Sequence, residues 1–196
     1  LNVTRIEIGI RPELPDPRGA DVARRMRSFL GLAVERVRTC DVYHVEADLQ
    51  PGEAERVLHE LADPVLQHGA LGRLPLQPFD VAVSVGYRPG VTDPVGKSAR
   101  VAIEDTLGRS LGAQAAVYGS TLYLLAGVDR AQAVRAAVEL LANPVIQTVG
   151  IQTRDEWTAG VPDLTVPRVH GGPTPQAREI SLEGSDAELV RLSREG

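Results

Sequence analysis

Val3-Thr4-Arg5-Ile6-Glu7-Ile8-Gly9-Ile10 and Phe79-Asp80-Val81-Ala82-Val83-Ser84-Val85-Gly86-Tyr87 alternate apolar and polar residues with period two, the pattern of a strand with one buried face. An Arg-Pro pair, Arg11-Pro12 or Arg88-Pro89, stops each run. Apolar residues then return at helical spacing, and the pattern predicts helices over 17–30 and 94–107. Val22, Met26 and Phe29 form the expected buried face of the first, and Ala99, Ile103 and Leu107 that of the second. Asp16 and Asp93 stand where a carboxylate can accept free first-turn amides, and Pro17 and Pro94 where a missing N–H costs nothing.

Two strands are expected after each helix, Val34 to Thr39 with Asp41 to Leu49, and Ala113 to Tyr118 with Thr121 to Ala126. Cys40 in the first half, and Gly119-Ser120 in the second, read as tight reversals. Further helices follow over Pro51 to Ala62, with Ala54, Val57, Leu58 and Leu61 facing inward, and over Asp129 to Leu141, with Ala133, Ala136, Ala137 and Leu140. A last strand is clear over Val145 to Thr153, whereas glycines and prolines between Val65 and Pro78 leave only a short or irregular counterpart.

These elements are written twice. Arg11-Pro12-Glu13-Leu14-Pro15-Asp16-Pro17-Arg18-Gly19 returns 77 positions later as Arg88-Pro89-Gly90-Val91-Thr92-Asp93-Pro94-Val95-Gly96. Leu61-Ala62-Asp63-Pro64-Val65-Leu66-Gln67 returns 80 positions later as Leu141-Ala142-Asn143-Pro144-Val145-Ile146-Gln147. A tandem duplication is therefore expected, with repeat one over 1–75, repeat two over 76–155, and the three-residue difference in the loop after the first helix, where insertions are tolerated. The expected fold is α+β: two ferredoxin-like βαββαβ units with antiparallel sheets and helices on the outer faces. Packing sheet against sheet, or edge to edge, would hide the remaining apolar surface.

Beyond Trp157, closely spaced Gly and Pro residues predict a linker over 156–184. Ser185 with Glu188 then reads as a capping box opening a short helix over 185–196, with Leu189, Val190 and Leu192 as apolar contacts. A helix this short is marginal alone, and its apolar side leads to the expectation that the natural chain continues, as an excised N-terminal part or one fragment of a larger protein.

Composition narrows the function classes. With 43% hydrophobic residues in 196 the chain can bury a core, while halves of this size would be marginal by themselves. A net charge of −5 gives no field to gather nucleic acid. No apolar run spans a membrane and no signal peptide opens the chain, so a cytoplasmic, membrane-free setting is expected. The one cysteine, Cys40, excludes a disulfide framework and reads as a small apolar core residue. His44, His59, His68 and His170 lack metal-ligand spacing, and neither a catalytic triad nor a nucleotide-hydrolysing loop is written.

The Arg-Pro-x-x-x-Asp-Pro-x-Gly turn supports two readings. As structure, Arg11 or Arg88 ends a strand, Asp16 or Asp93 caps a helix, and Gly19 or Gly96 permits close approach. As function, a basic side chain beside free helix amides holds a phosphate or a partner's carboxylate. Lys97 after Gly96 strengthens the second reading in repeat two, where repeat one has Ala20.

The stretch Arg88 to Lys97, together with Leu141-Ala142-Asn143-Pro144-Val145-Ile146, resembles the PurS small subunit of phosphoribosylformylglycinamidine synthase, a glutamine-dependent amidotransferase of purine biosynthesis. Repeat one carries the same landmarks with Glu13, Arg18, Ala20 and Asp63 in place of Gly90, Val95, Lys97 and Asn143. The tail from Ser185 is similar to the opening helix of the large PurL-type synthetase. The resemblance implies a duplicated, fused form in which two PurS-like units make a pseudo-dimer. It implies a module with no catalytic residues of its own that bridges a PurL-type synthetase and a PurQ-type glutaminase and supports ammonia transfer. No cofactor is expected in this fragment, ATP and Mg2+ belonging to the parent synthetase. Arg88, Asp93, Gly96, Lys97 and Asn143 are the expected partner-binding or turn-organising residues, with Arg11, Asp16 and Gly19 as counterparts. The alternative is a stand-alone tandem module that binds a small anionic metabolite at one or both Arg-Pro turns.

Overall fold

The computed structural model describes residues 1–75, 78–169, 183 and 185–195. The chain begins with strand β1 (Val3–Ile10), helix α1 (Pro17–Leu30), strand β2 (Arg36–Glu46), helix α2 (Glu53–Leu61) and strand β3 (Gln67–Leu71). The same order follows in β4 (Val81–Tyr87), α3 (Pro94–Leu107), β5 (Ala116–Ala126), α4 (Arg130–Ala136), widened by a π-turn at Ala137–Leu141, and β6 (Gln147–Thr153). Short helices α5 (Arg154–Ala159) and α6 (Asp186–Glu195) complete the described chain.

All six strands form one antiparallel sheet in the order β3-β1-β2-β5-β4-β6. The two halves join edge to edge through β2 and β5, which pair along their whole length from Arg36↔Ala126 to Glu46↔Ala116. This corrects the expected βαββαβ order: each half has one eleven-residue strand where two short ones were expected. Cys40 is a buried strand residue, and Gly119 does not adopt the positive φ that a tight reversal there would favour. Continuous pairing across the junction keeps both strands straight where the sequence has turn-forming residues.

Helices α1 to α4 cover one face of this sheet, each lying on strands of its own half while sharing an apolar cluster with residues of the other. Ala23, Met26 and Leu30 of α1 pack with Val81, Val83 and Val85 of β4 and with Ala133, Ala136 and Ala137. Ala99 and Ile103 of α3 pack with Ile6 and Ile8 of β1 and Val57 of α2. Each core cluster thus draws on both halves, so separating them would expose apolar surface on every helix.

Gly19 sets the phase of α1. A Cβ there would overlap the Val37 carbonyl oxygen, so this face lies against β2, and one, two and three turns on it presents Ala23, Met26 and Leu30. Phe29, expected inside, is consequently 74% exposed.

The opposite sheet face is covered by connecting segments. Cys40, Val42, Ala82, Leu122 and Leu124 lie under Leu74, Phe79 and Trp157, with the Phe79 and Trp157 rings edge to face at 6.1 Å. The alternation in β1 leads to an expectation of one buried face, yet Arg5 and Glu7 on the other face are buried as well. Glu7 accepts from Arg5 Nη2 at 2.7 Å and from the Leu74 amide at 2.8 Å.

Of the expected linker, residues 156–159 belong to α5, 160–169 run across this second face, and 170–182 with 184 lie outside the described residues. α6 occupies the expected C-terminal helix, and the Ser185 amide donates to Glu188 Oε2 at 2.9 Å.

Candidate functional site

Asp16 and Asp93 each do two things. Asp16 Oδ1 accepts from the Gly19 amide at 2.9 Å, capping α1, while Oδ2 accepts from the Thr39 amide at 2.6 Å and the Thr39 hydroxyl at 2.9 Å, tying the helix to β2. Asp93 Oδ1 accepts from the Gly96 amide at 2.8 Å and Oδ2 from the Gly119 amide at 2.6 Å, tying α3 to β5. A Cβ on Gly96 would overlap the Val117 carbonyl oxygen. The carboxylate and the glycine therefore act together, the glycine letting the helix start come close enough for the carboxylate to reach across.

Arg11 and Arg88 join the two sequence motifs within each half. Arg11 Nε and Nη2 donate to the Val65 and Pro64 carbonyls at 3.1 and 2.9 Å, and Arg88 Nε donates to the Pro144 carbonyl at 3.1 Å. The same loops are braced by Asp63, which accepts from the Val65 and Leu66 amides at 2.8 Å, and by Asn143, whose Oδ1 accepts from the Val145 amide at 3.0 Å. The Leu66 and Val65 amides hold the Asp63 carboxyl below its ordinary range. The loop tips that result are apolar and exposed, Val65 at 73% and Val145 at 78%.

Lys97 lies apart from this bracing. It sits on the first turn of α3, exposed, and lines a cleft of 730 Å³ on the second sheet face. Ser84, Gly86, Ser120 and Gly150 form part of the cleft lining, and Tyr118, Arg88, Gln152 and Trp157 stand around it. One wall is the segment from Asp163 to Arg168. That segment is strapped down: Arg5 Nη1 donates to the Asp163 carbonyl at 3.2 Å, and Arg168 pairs with Glu46. Arg73 donates to the Trp157, Gly160 and Val161 carbonyls and lies 4.2 Å above the Trp157 ring. Burial and the neighbouring Arg5 pull the His44 pKa below its ordinary value against the raising effect of the Asp163 carbonyl. The ring Nε2 lies 2.9 Å from that carbonyl and 3.1 Å from Arg5 Nη1.

Of the residues singled out in the sequence, Arg88, Asp93 and Lys97 share this cleft. Arg11, Asp16 and Gly19 lie at the corresponding turn of the first half, and Asn143 braces the loop under Arg88. The sequence reading missed Arg73, His44, Tyr118 and Trp157, which come from four distant segments. The one signal available was the Thr153 to Glu156 capping box that starts α5 and carries Trp157 onto the sheet.

Among the described residues no group of three or more His, Cys, Asp or Glu side chains could hold a metal ion, and no helix is long and apolar enough to cross a membrane. Cys40 is no nucleophile: burial, with Glu7 nearby, pushes its thiol up to about 12. Comparison of the sequence with protein-family models and with curated proteins gives no match.

Proposed function

We propose that the chain is a tandem-duplicated, PurS-like, non-catalytic module of phosphoribosylformylglycinamidine synthase, bridging an ATP- and Mg2+-dependent PurL-type synthetase and a PurQ-type glutaminase so that ammonia passes between them. The observation that carries this reading is the meeting of the two resembling motifs in space, where the Arg-Pro turn grips the Asx-Pro-Val loop in each half. Those motifs end in exposed apolar tips at Val65 and Val145, chemistry suited to a protein partner.

Duplication is supported by the register of the central strands. β2 and β5 differ by 80 positions in both bounds, as the loop motifs do, and Asp41 pairs with Thr121, its own counterpart at that offset. Two equivalent halves paired in this way are related by a local twofold axis between those residues, the arrangement of a pseudo-dimer.

The test is direct association. Mixed with purified synthetase and glutaminase of this activity, the chain is expected to co-elute with both as one species of defined mass. Separate elution of all three folded proteins, with and without glutamine and nucleotide, refutes the bridging role.

A further inference from the structure

The two halves differ in what fills the hollow beside the Arg-Pro turn. In the first half, Arg38 of β2 fills the hollow beside the Arg-Pro turn, its Nη1 donating to the Leu14 carbonyl at 2.7 Å and its Nη2 to the Ile10 carbonyl at 2.6 Å. The counterpart in β5 is Tyr118, which makes no such bonds and leaves the hollow open as part of the 730 Å³ cleft. Likewise Glu7 and Cys40, buried in the first half, correspond to Ser84 and Ser120, which line the open cleft. A Cβ on Gly150 would stand 2.5 Å from Ser84 Oγ, so glycine keeps the floor low. The volume falls in the range of about 300–1,000 Å³ that small-ligand sites occupy.

Its unused chemistry is cationic at one end and hydroxyl-binding along the floor. Arg88 spends only Nε, on the Pro144 carbonyl, leaving the rest of its fork. The Lys97 ammonium makes no hydrogen bond or ion pair among the described residues. The remaining charges are committed: Arg5 to Glu7, Arg168 to Glu46, Arg73 to three carbonyls, Asp93 to the Gly96 and Gly119 amides, and Asp163 to the Thr165 amide. The side chains of Ser120, Tyr118 and Gln152 likewise have no hydrogen-bond partner among the described residues. In a chain of net charge −5, a planar fork and a point charge without acid partners facing one cleft select a compact dianion.

We infer that the open cleft of the second half binds a phosphate monoester, its phosphate between Arg88 and Lys97 and its hydroxyl-bearing body over Ser84, Ser120 and Gln152. The site needs no partner protein, so it stands or falls apart from the bridging role.

The test is calorimetric titration of the full chain with ribose 5-phosphate and glucose 6-phosphate. The unphosphorylated sugars, inorganic phosphate and malate serve as comparison ligands. Lys97→Ala is the main variant, because alanine occupies the counterpart position at Ala20; Arg11→Gln is the control at the closed hollow, and urea midpoints verify folding. Saturable binding of a sugar phosphate below about 1 mM is expected, weakened about tenfold or more by Lys97→Ala and unchanged by Arg11→Gln. No saturation by about 10 mM, equal binding of free sugar, inorganic phosphate or malate, or a folded Lys97→Ala variant of undiminished affinity overturns the assignment.

Discussion

Gly96→Ala tests the Asp-Pro-x-Gly turn, because intrinsic propensity and tertiary structure give opposite signs. In an exposed helix, replacing glycine by alanine stabilises by about 1 kcal/mol. At Gly96 the added Cβ overlaps the Val117 carbonyl oxygen and stands 2.6 Å from Asp93 Oδ2. Neither neighbour can move freely, since Val117 lies within β5 and Asp93 is held by the Gly96 and Gly119 amides. Relief requires α3 to lift from the sheet, which costs about 1–3 kcal/mol in packing. It also loosens the helix cap and the Gly119 bond at about 1 kcal/mol each. Set against the propensity gain, the net expectation is a loss of about 2–4 kcal/mol. Urea unfolding followed by far-UV circular dichroism should show a lower midpoint at unchanged slope. Ser98→Ala, at an exposed position on the same helix, should leave the midpoint within about 0.5 kcal/mol of the original. A Gly96→Ala protein as stable as the original, or more so, would refute the close-approach argument.

Other consequences can be measured separately. Asp16→Ala removes the acceptor for three donors, including the buried Thr39 pair, and is expected to cost about 2–4 kcal/mol in the same urea assay. The isolated segments 1–75 and 76–159 are each expected to lack a cooperative thermal transition, because the apolar cluster under α1 is completed by second-half residues and that under α3 by first-half residues. Arg109 first, and then the Gln50 amide, hold the Glu53 carboxyl down at about 2, against an ordinary 4.5. Stability from this group is therefore fully present above about pH 4.5 and lost as pH falls through about 2. Glu53→Gln should accordingly lower the urea midpoint at pH 7 and narrow the difference between the two proteins as pH falls. Cys40, with its thiol raised to about 12 and buried, should react with a thiol reagent at pH 8 only as fast as the protein opens.

How much of this was legible in the sequence follows from which physical signals are local. The Asp-Pro caps, the period-two alternation of β1 and β4, and the alanine face of α4 are written in neighbouring residues, and the structure has those elements where they were expected. The continuity of β2 and β5 was not legible, because Gly119-Ser120 is a turn sequence that pairing with Val42 and Tyr43 on one side and Gly86 on the other keeps extended. Phe29 was misplaced because helical spacing leaves the phase open by one residue, and the close contact of Gly19 with β2 selects Leu30 instead. The cleft was the least legible part. Arg88 and Lys97 were visible as a basic turn, but the side chains around them come from β5, β6, α5 and the strap. Its openness depends on Tyr118 standing where the first half has Arg38, a difference that acquires meaning only once the strands are superposed.

The bridging claim is tested most directly by rate rather than by binding. Synthetase and glutaminase are assayed for formation of formylglycinamidine ribonucleotide, with and without this chain, using glutamine in one series and ammonia in the other. The account predicts that the chain raises the glutamine-dependent rate severalfold and leaves the ammonia-dependent rate unchanged. Equal glutamine-dependent rates in its presence and absence, with all three proteins folded, would contradict it.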